Sequence, residues 1–136
     1  MPMKFEITES PSSQEVEFLS QKINEEATEQ RQASAFAVLV RGESGKILAG
    51  CNGSIVFGSI YTDQLWVDSS FRRKGVGKKL IEKVHEYGKE NGCSKATVTT
   101  MSFQAPDFYK KLGYKVDFIR KGYNKNAGCI FMSKHL

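Results

Sequence analysis

The chain predicts a mixed α/β fold in which helices pack on one central sheet, and three observations carry that expectation. Apolar residues recur with period two in some stretches and at helical spacing in others, in the order β-α-β-β-β-α-β-α-β-β. The length of 136 residues is that of one domain. No repeat, low-complexity tract or Pro/Ser-rich linker divides it, so residues 1–136 read as a single domain. With 40% apolar and 26% charged residues, the composition is that of a chain with its own core, neither disordered nor disulfide-stapled.

Each element has a local reason. Lys4 to Thr8 alternates polar and apolar, which predicts a first strand. Ser12-Ser13-Gln14-Glu15 has the form of a capping box, and Val16, Leu19, Ile23 and Ala27 then recur at helical spacing, running into the polar, acidic stretch Asn24 to Gln32. Ala35 to Arg41 and Lys46 to Phe57, joined by Gly42-Glu43-Ser44-Gly45, read as a hairpin. Gly50 and Gly53 in its second strand predict bulges or close packing. Ile60 to Val67 is a further strand. The basic, glycine-containing segment Phe71 to Lys79 leads into a helix with apolar face Val76, Leu80, Ile81, Val84 and Tyr87, stopped by Asn91-Gly92. Lys95 to Met101 is the next strand, and a parallel arrangement is expected for the strand-helix-strand unit from 60 to 101. Pro106 opens a short helix that Gly113 closes, and Tyr114 to Ile119 and Cys129 to Ser133 form a final strand pair.

Charge is informative once it is divided. The chain carries +5 overall. Residues 1–68 carry −5 and residues 69–136 carry +10. A basic half can meet nucleic acid, an anionic membrane or a phosphorylated small molecule, and the total does not choose among them. The longest apolar-dominated stretches, Ala35 to Val40 and Ser54 to Tyr61, fall far short of the ~18 residues that span a bilayer. No secretory or transit signal is visible at the N-terminus, and a cytoplasmic location is expected. Cys51, Cys93 and Cys129 are odd in number and widely spaced, so they read as buried thiols. With His85 and His135 as the only histidines, no metal site is expected.

The chemistry concentrates in residues 65–80. A strand ends at Leu65-Trp66-Val67, a loop follows, and a helix begins beyond Gly75-Val76-Gly77. Glycines permit positive φ and close backbone approach, and the free amides of the helix start make an anion site. Arg72, Arg73, Lys74, Lys78 and Lys79 reinforce it, with no acid from Ser69 to Ile81. That favours a polyphosphate ligand over a single carboxylate. The P-loop pattern is absent, and the third glycine of a Rossmann fingerprint is missing.

Arg72-x-x-Gly75-x-Gly77 between strand and helix resembles the pyrophosphate loop of the GNAT superfamily of acetyl-CoA-dependent N-acetyltransferases. A second match lies about thirty residues on, where Phe108-Tyr109-Lys110-Lys111-Leu112-Gly113-Tyr114 is similar to that family's short helix with its tyrosine. The resemblance implies a mixed, mostly antiparallel sheet of about seven strands, splayed at the cofactor cleft. It implies acetyl-CoA as cosubstrate, with no metal. The pantetheine arm would lie along Leu65, Trp66 and Val67, and the pyrophosphate would be wrapped by Arg73, Lys74, Gly75, Val76, Gly77 and Lys78 with Arg72 beside them. A backbone N–H near Leu65 would stabilise the oxyanion, and Tyr109 would protonate the leaving thiolate. Where many members carry Asn, this chain has Ser102, a shorter candidate contact to the cofactor.

The acceptor amine must lose a proton before it attacks. The family's acidic position matches Tyr61 here, and Asp63, two residues on and on the same face of a regular strand, is the candidate base, directly or through water. Its alternative is a surface or turn-capping aspartate. Glu25, Glu26 and Glu29 would favour a cationic acceptor, a small amine or a lysine side chain. The expected activity is direct acetyl transfer from acetyl-CoA to a primary amine by a monomer or homodimer, with neither nucleic acid nor membrane as partner. The alternative is a CoA-binding sensor that has lost turnover.

Overall fold

The computed structural model describes residues 2–26 and 33–136, which fall into an N-terminal unit, Met1–Gln32, and a larger unit, Ala33–Leu136. In the N-terminal unit, helix α1 runs from Ser13 to Glu26. The capping box forms as the sequence predicts: the Ser12 amide donates to Glu15 Oε1 at 2.9 Å, and the Glu15 amide donates to Ser12 Oγ at 3.1 Å. Hydrogen bonding from the Ser12 amide and side chain holds the Glu15 carboxyl below its ordinary pKa. The apolar stripe Val16, Leu19 and Ile23 is exposed, and Ala27 lies outside the described residues.

No strand forms at Lys4 to Thr8. An alternating segment becomes a strand only when a neighbour supplies the ladder, and the local bond present, the Ser10 amide to Thr8 Oγ1 at 3.2 Å, serves a bend. The described sheet therefore has six strands, not about seven, in the order β1-β2-β3-β4-β6-β5.

All six belong to the larger unit. Strands β1 (Ser34–Arg41) and β2 (Ile47–Val56) form the hairpin, and β3 (Ser59–Val67) pairs antiparallel with β2. Helix α2 (Val76–Glu90) then crosses to β4 (Lys95–Met101), which lies parallel to β3 as expected. Helix α3 (Pro106–Lys111) precedes β5 (Lys115–Arg120), and β6 (Cys129–His135) inserts antiparallel between β4 and β5.

The core forms where α2 lies on the sheet. Leu80, Ile81 and Val84 face inward and are almost fully buried, each contributing about 1.5–3 kcal/mol. The helix lies close against β3 at Gly88, where a Cβ would lie 2.9 Å from Ile60 Cγ2. A side chain there would lift the helix off the strand. Tyr87, at 5.8 Å from the Phe36 ring, closes the far end. The three cysteines are free and buried. No helix among the described residues is long and apolar enough to cross a membrane.

Candidate active site

The pairing of β3 with β4 stops early. It runs from Ser59 opposite Lys95 to Thr62 opposite Val98, and beyond that point Asp63–Val67 and Thr99–Met101 are unpaired with each other. The sheet opens there, and the β4-side edge of β3 presents backbone with no ladder partner. One polar group marks the junction: Thr62 Oγ1 is buried with no hydrogen-bond partner among the described residues.

The opening coincides with a change of register between β2 and β3. Asn52 faces Gln64 while Gly53 faces Thr62, so Asp63 is an inserted residue. Two features hold the insertion. Asn52 Nδ2 donates to Gln64 Oε1 at 3.0 Å and the Gln64 amide donates to Asn52 Oδ1 at 3.2 Å, clamping the residue after the insertion. At Gly53 a Cβ would lie 1.8 Å from the Tyr61 carbonyl oxygen, so β3 approaches β2 as only glycine allows. The sequence's expectation of close packing at Gly53 is met, and the bulge lies across from it on β3.

The insertion also resets which side chains face α2. Ile60 is core before it, and Leu65 and Val67 pack against that core after it. Trp66 is about half exposed and, with Asp63, Gln64, Asn52, Leu39 and Gln104, lines a cleft of about 660 Å³. Among the described residues, Asp63 is the one charged side chain in its wall.

At the C-terminal end of β3, directly beyond the cleft, lies the basic loop. Asp68 caps a short 3-10 turn, accepting from the Ser70 hydroxyl and from the Ser70 amide at 3.1 Å, which holds its carboxyl below the ordinary range. Arg72 Nε donates to the Val67 carbonyl at 2.9 Å and ties the loop to the strand end. Arg73 and Gly75 both take positive φ, 63° and 78°. Gly75 stands at the N-cap of α2 with no side chain capping the helix. The first helical bond runs from the Lys79 amide to the Gly75 carbonyl. The amides of Val76, Gly77 and Lys78 therefore form the open, positive end of α2. They line a cavity of about 280 Å³ with Arg72, Arg73 and Phe108. Lys74 Nζ lies 5.7 Å above the Phe71 ring.

Tyr109, on α3, is 7% exposed and its hydroxyl makes no hydrogen bond among the described residues. Burial, with Cys51 and Tyr61 nearby, pushes its pKa up to about 12. The phenol therefore stays protonated throughout the neutral range. Its ring meets Phe108 at 5.1 Å and Tyr114 at 5.5 Å, both edge-on. Phe108 also lies 3.4 Å from where a Gly77 Cβ would stand, so the start of α2 and the tyrosine share one aromatic neighbour.

Ser102 is engaged elsewhere. Its Oγ accepts from the Gly128 amide at 2.9 Å, and its own amide donates to the Gly128 carbonyl at 2.8 Å, fastening the end of β4 to the loop before β6. Its O–H remains a possible donor. Glu25 and Glu26 lie on α1 in the N-terminal unit, and Glu29 lies outside the described residues. Among the described residues no cluster of His, Cys, Asp or Glu could hold a metal ion.

Comparison with known proteins agrees with this geometry. A family model described as the acetyltransferase (GNAT) family matches residues 4–114. The chain is 35% identical over 89 residues to a blasticidin-S acetyltransferase of Streptomyces morookaense, covering 65% of each chain. It is 35% identical over 57 residues to a thialysine N-epsilon-acetyltransferase of Bos taurus, covering 40% of this chain and 34% of that one. In both cases the match spans less than two thirds of the relative. Over its whole length it resembles the crystal structure of an acetyltransferase from Bacillus cereus, at 31% identity and a TM-score of 0.74, covering 96% of this chain and 98% of that one.

Proposed function

Because the chain belongs to the acetyltransferase (GNAT) family, whose members use acetyl-CoA, we propose that it transfers an acetyl group from acetyl-CoA directly to a primary amine within a ternary complex. The observation that carries this reading is the opening of β3 from β4 after Thr62, between the uncapped start of α2 and the buried Tyr109. Val76, Gly77 and Lys78 offer amides, and Arg72, Arg73 and Lys74 offer positive charge, to the diphosphate. Leu65, Trp66 and Val67 offer the unpaired strand edge to the amide-bearing arm, as an edge strand receives an added strand. A backbone N–H near Leu65 stabilises the oxyanion of the tetrahedral intermediate, an interaction typically worth about 3 kcal/mol. Tyr109 offers its O–H to the sulfur as the C–S bond breaks. Asp63, directly or through water, takes the proton that the amine must lose.

Direct attack is supported by the state of Cys51, the cysteine that lines the cleft. Burial raises its pKa, so it is a neutral thiol and a poor nucleophile for an acetyl-enzyme route.

The acceptor proposed is a small cationic amine or a lysine side chain. Among the described residues a single carboxylate, Asp63, charges the wall of the cleft, and the relatives' names point to blasticidin S and thialysine as their acceptors. The test is release of CoA from acetyl-CoA against a panel of amines that includes these two. Cationic amines are expected to exceed amines bearing a net negative charge by roughly tenfold in kcat/KM, one to two kcal/mol of electrostatic preference. Asp63→Asn is expected to flatten that preference. Bound acetyl-CoA with no turnover on any amine would identify a binding module instead.

A pH profile tests the proton donor. A group that acts as an acid must be protonated, and a pKa raised to about 12 keeps Tyr109 protonated far above the ordinary tyrosine range. With a fixed amine the rate is expected to rise as the amine loses its proton, with no fall attributable to Tyr109 up to pH 10.5. A descending limb near pH 10 that Tyr109→Phe abolishes would contradict this.

A further inference from the structure

We propose that His85 is a positioning residue for Tyr109, acting through Tyr114. The inference rests on the reading of Tyr109 as the proton donor to the leaving sulfur.

The phenol of Tyr109 needs an external constraint. Its hydroxyl is bonded to nothing among the described residues, so its ring is held by packing alone, against Phe108 on one side and Tyr114 on the other. Tyr114 is the more constrained of the two neighbours. Its amide donates to the Tyr109 carbonyl at 3.1 Å across the left-handed turn at Gly113, and its ring meets the Tyr109 ring at 5.5 Å and 69°. Only 4% exposed, Tyr114 has one polar partner for its hydroxyl among the described residues, the Nε2 of His85 at 2.9 Å.

His85 thus joins α2 to Tyr114, just beyond the end of α3. Its ring centroid lies 5.6 Å from that of Tyr114, and burial together with the charges of Lys134 and Lys89, set against Glu82, keeps the imidazole neutral near pH 7. A neutral imidazole holds the Tyr114 hydroxyl in either tautomer, as acceptor or as donor. Without that bond the Tyr114 ring is free to tilt, and the Tyr109 phenol tilts with it. Sub-ångström misplacement of a reacting group is enough to cost an order of magnitude in rate.

The test compares His85→Leu, His85→Gln and Tyr114→Phe, alone and combined with Tyr109→Phe. Turnover is followed as thiol release from acetyl-CoA with the amine that works best in the panel. His85→Leu and Tyr114→Phe are each expected to lower kcat about three- to tenfold with the KM for acetyl-CoA unchanged, and His85→Gln to keep most of the rate. In the Tyr109→Phe background neither should lower kcat further, because the lever acts only through that hydroxyl. A loss that persists undiminished in that background overturns the proposal, as a general structural defect would produce it. Wild-type kcat in both variants beside a slow Tyr109→Phe also overturns it, while leaving Tyr109 as donor. A wild-type rate for Tyr109→Phe itself removes the donor reading and this inference together.

A second readout needs no turnover. In spectra of chain labelled with ¹³Cζ-tyrosine, the Tyr109 resonance among the five tyrosines is identified by its absence in Tyr109→Phe. It is expected to move in His85→Leu and in Tyr114→Phe, and an unmoved resonance overturns the proposal. Tyr114→Phe deletes one oxygen and keeps the ring, so it carries the test even where His85→Leu does not fold.

Discussion

Replacing Gly53 by alanine is expected to destabilise the protein by about 3–4 kcal/mol and to lower its melting temperature by roughly 10–15 °C. The added Cβ would stand 1.8 Å from the Tyr61 carbonyl oxygen, 2.8 Å from its carbon and 3.0 Å from Thr62 Cα. All three are backbone atoms, so no side chain can rotate aside. Relief requires β3 to move away from β2 at the point where Asp63 is inserted and the pairing with β4 ends. Chemical denaturation measures the first effect. Activity of whatever folded protein remains measures the second, and it should fall by more than the folded fraction does, because the displaced segment is the strand edge proposed to receive acetyl-CoA. Gly53→Ala melting within 1 kcal/mol of the parent, with full activity, would mean that the approach of the two strands is not needed for the opening.

Tyr109→Phe is the second large effect, and its character is the opposite. General acid catalysis typically contributes 10²–10⁴-fold, so kcat is expected to fall by roughly a hundredfold or more. Folding should be nearly untouched. The Tyr109 hydroxyl has no hydrogen-bond partner among the described residues, so deleting it orphans no other group, and the ring keeps its packing against Phe108 and Tyr114. KM for acetyl-CoA should stay within about twofold, since the amides and the strand edge proposed to bind the cofactor are unchanged. Steady-state kinetics beside a thermal melt separates the two quantities. An unchanged kcat across pH 7–9 would take Tyr109 out of the chemistry.

Much of this architecture is legible in the sequence, for local reasons. The hairpin, α2 and β4 announce themselves through periodicity, turn residues and caps. The basic loop is visible in composition and glycine placement, and Tyr109 in its motif. The N-terminal strand is not borne out, because alternation at Lys4 to Thr8 states a preference and only a neighbouring strand could realise it. The insertion at Asp63 leaves a fainter trace. Inward residues fall at even positions, Ile60 and Thr62, and then at odd ones, Leu65 and Val67, a parity change that can be read only once a bulge is suspected. The pairs Asn52–Gln64 and His85–Tyr114 leave none. Their partners are 12 and 29 residues apart and meet through strand register and helix docking, which no local pattern specifies.

That parity change makes chain length at one position a functional quantity. A substitution at 63 alters a side chain in the cleft but leaves the strand counted as before. Deleting the residue would do something else: it would turn the four side chains from Gln64 to Val67 over, sending Trp66 toward α2 and Leu65 and Val67 outward. Homologous strands that lack this one residue should therefore be read as presenting the opposite faces over this stretch, however well their motifs agree.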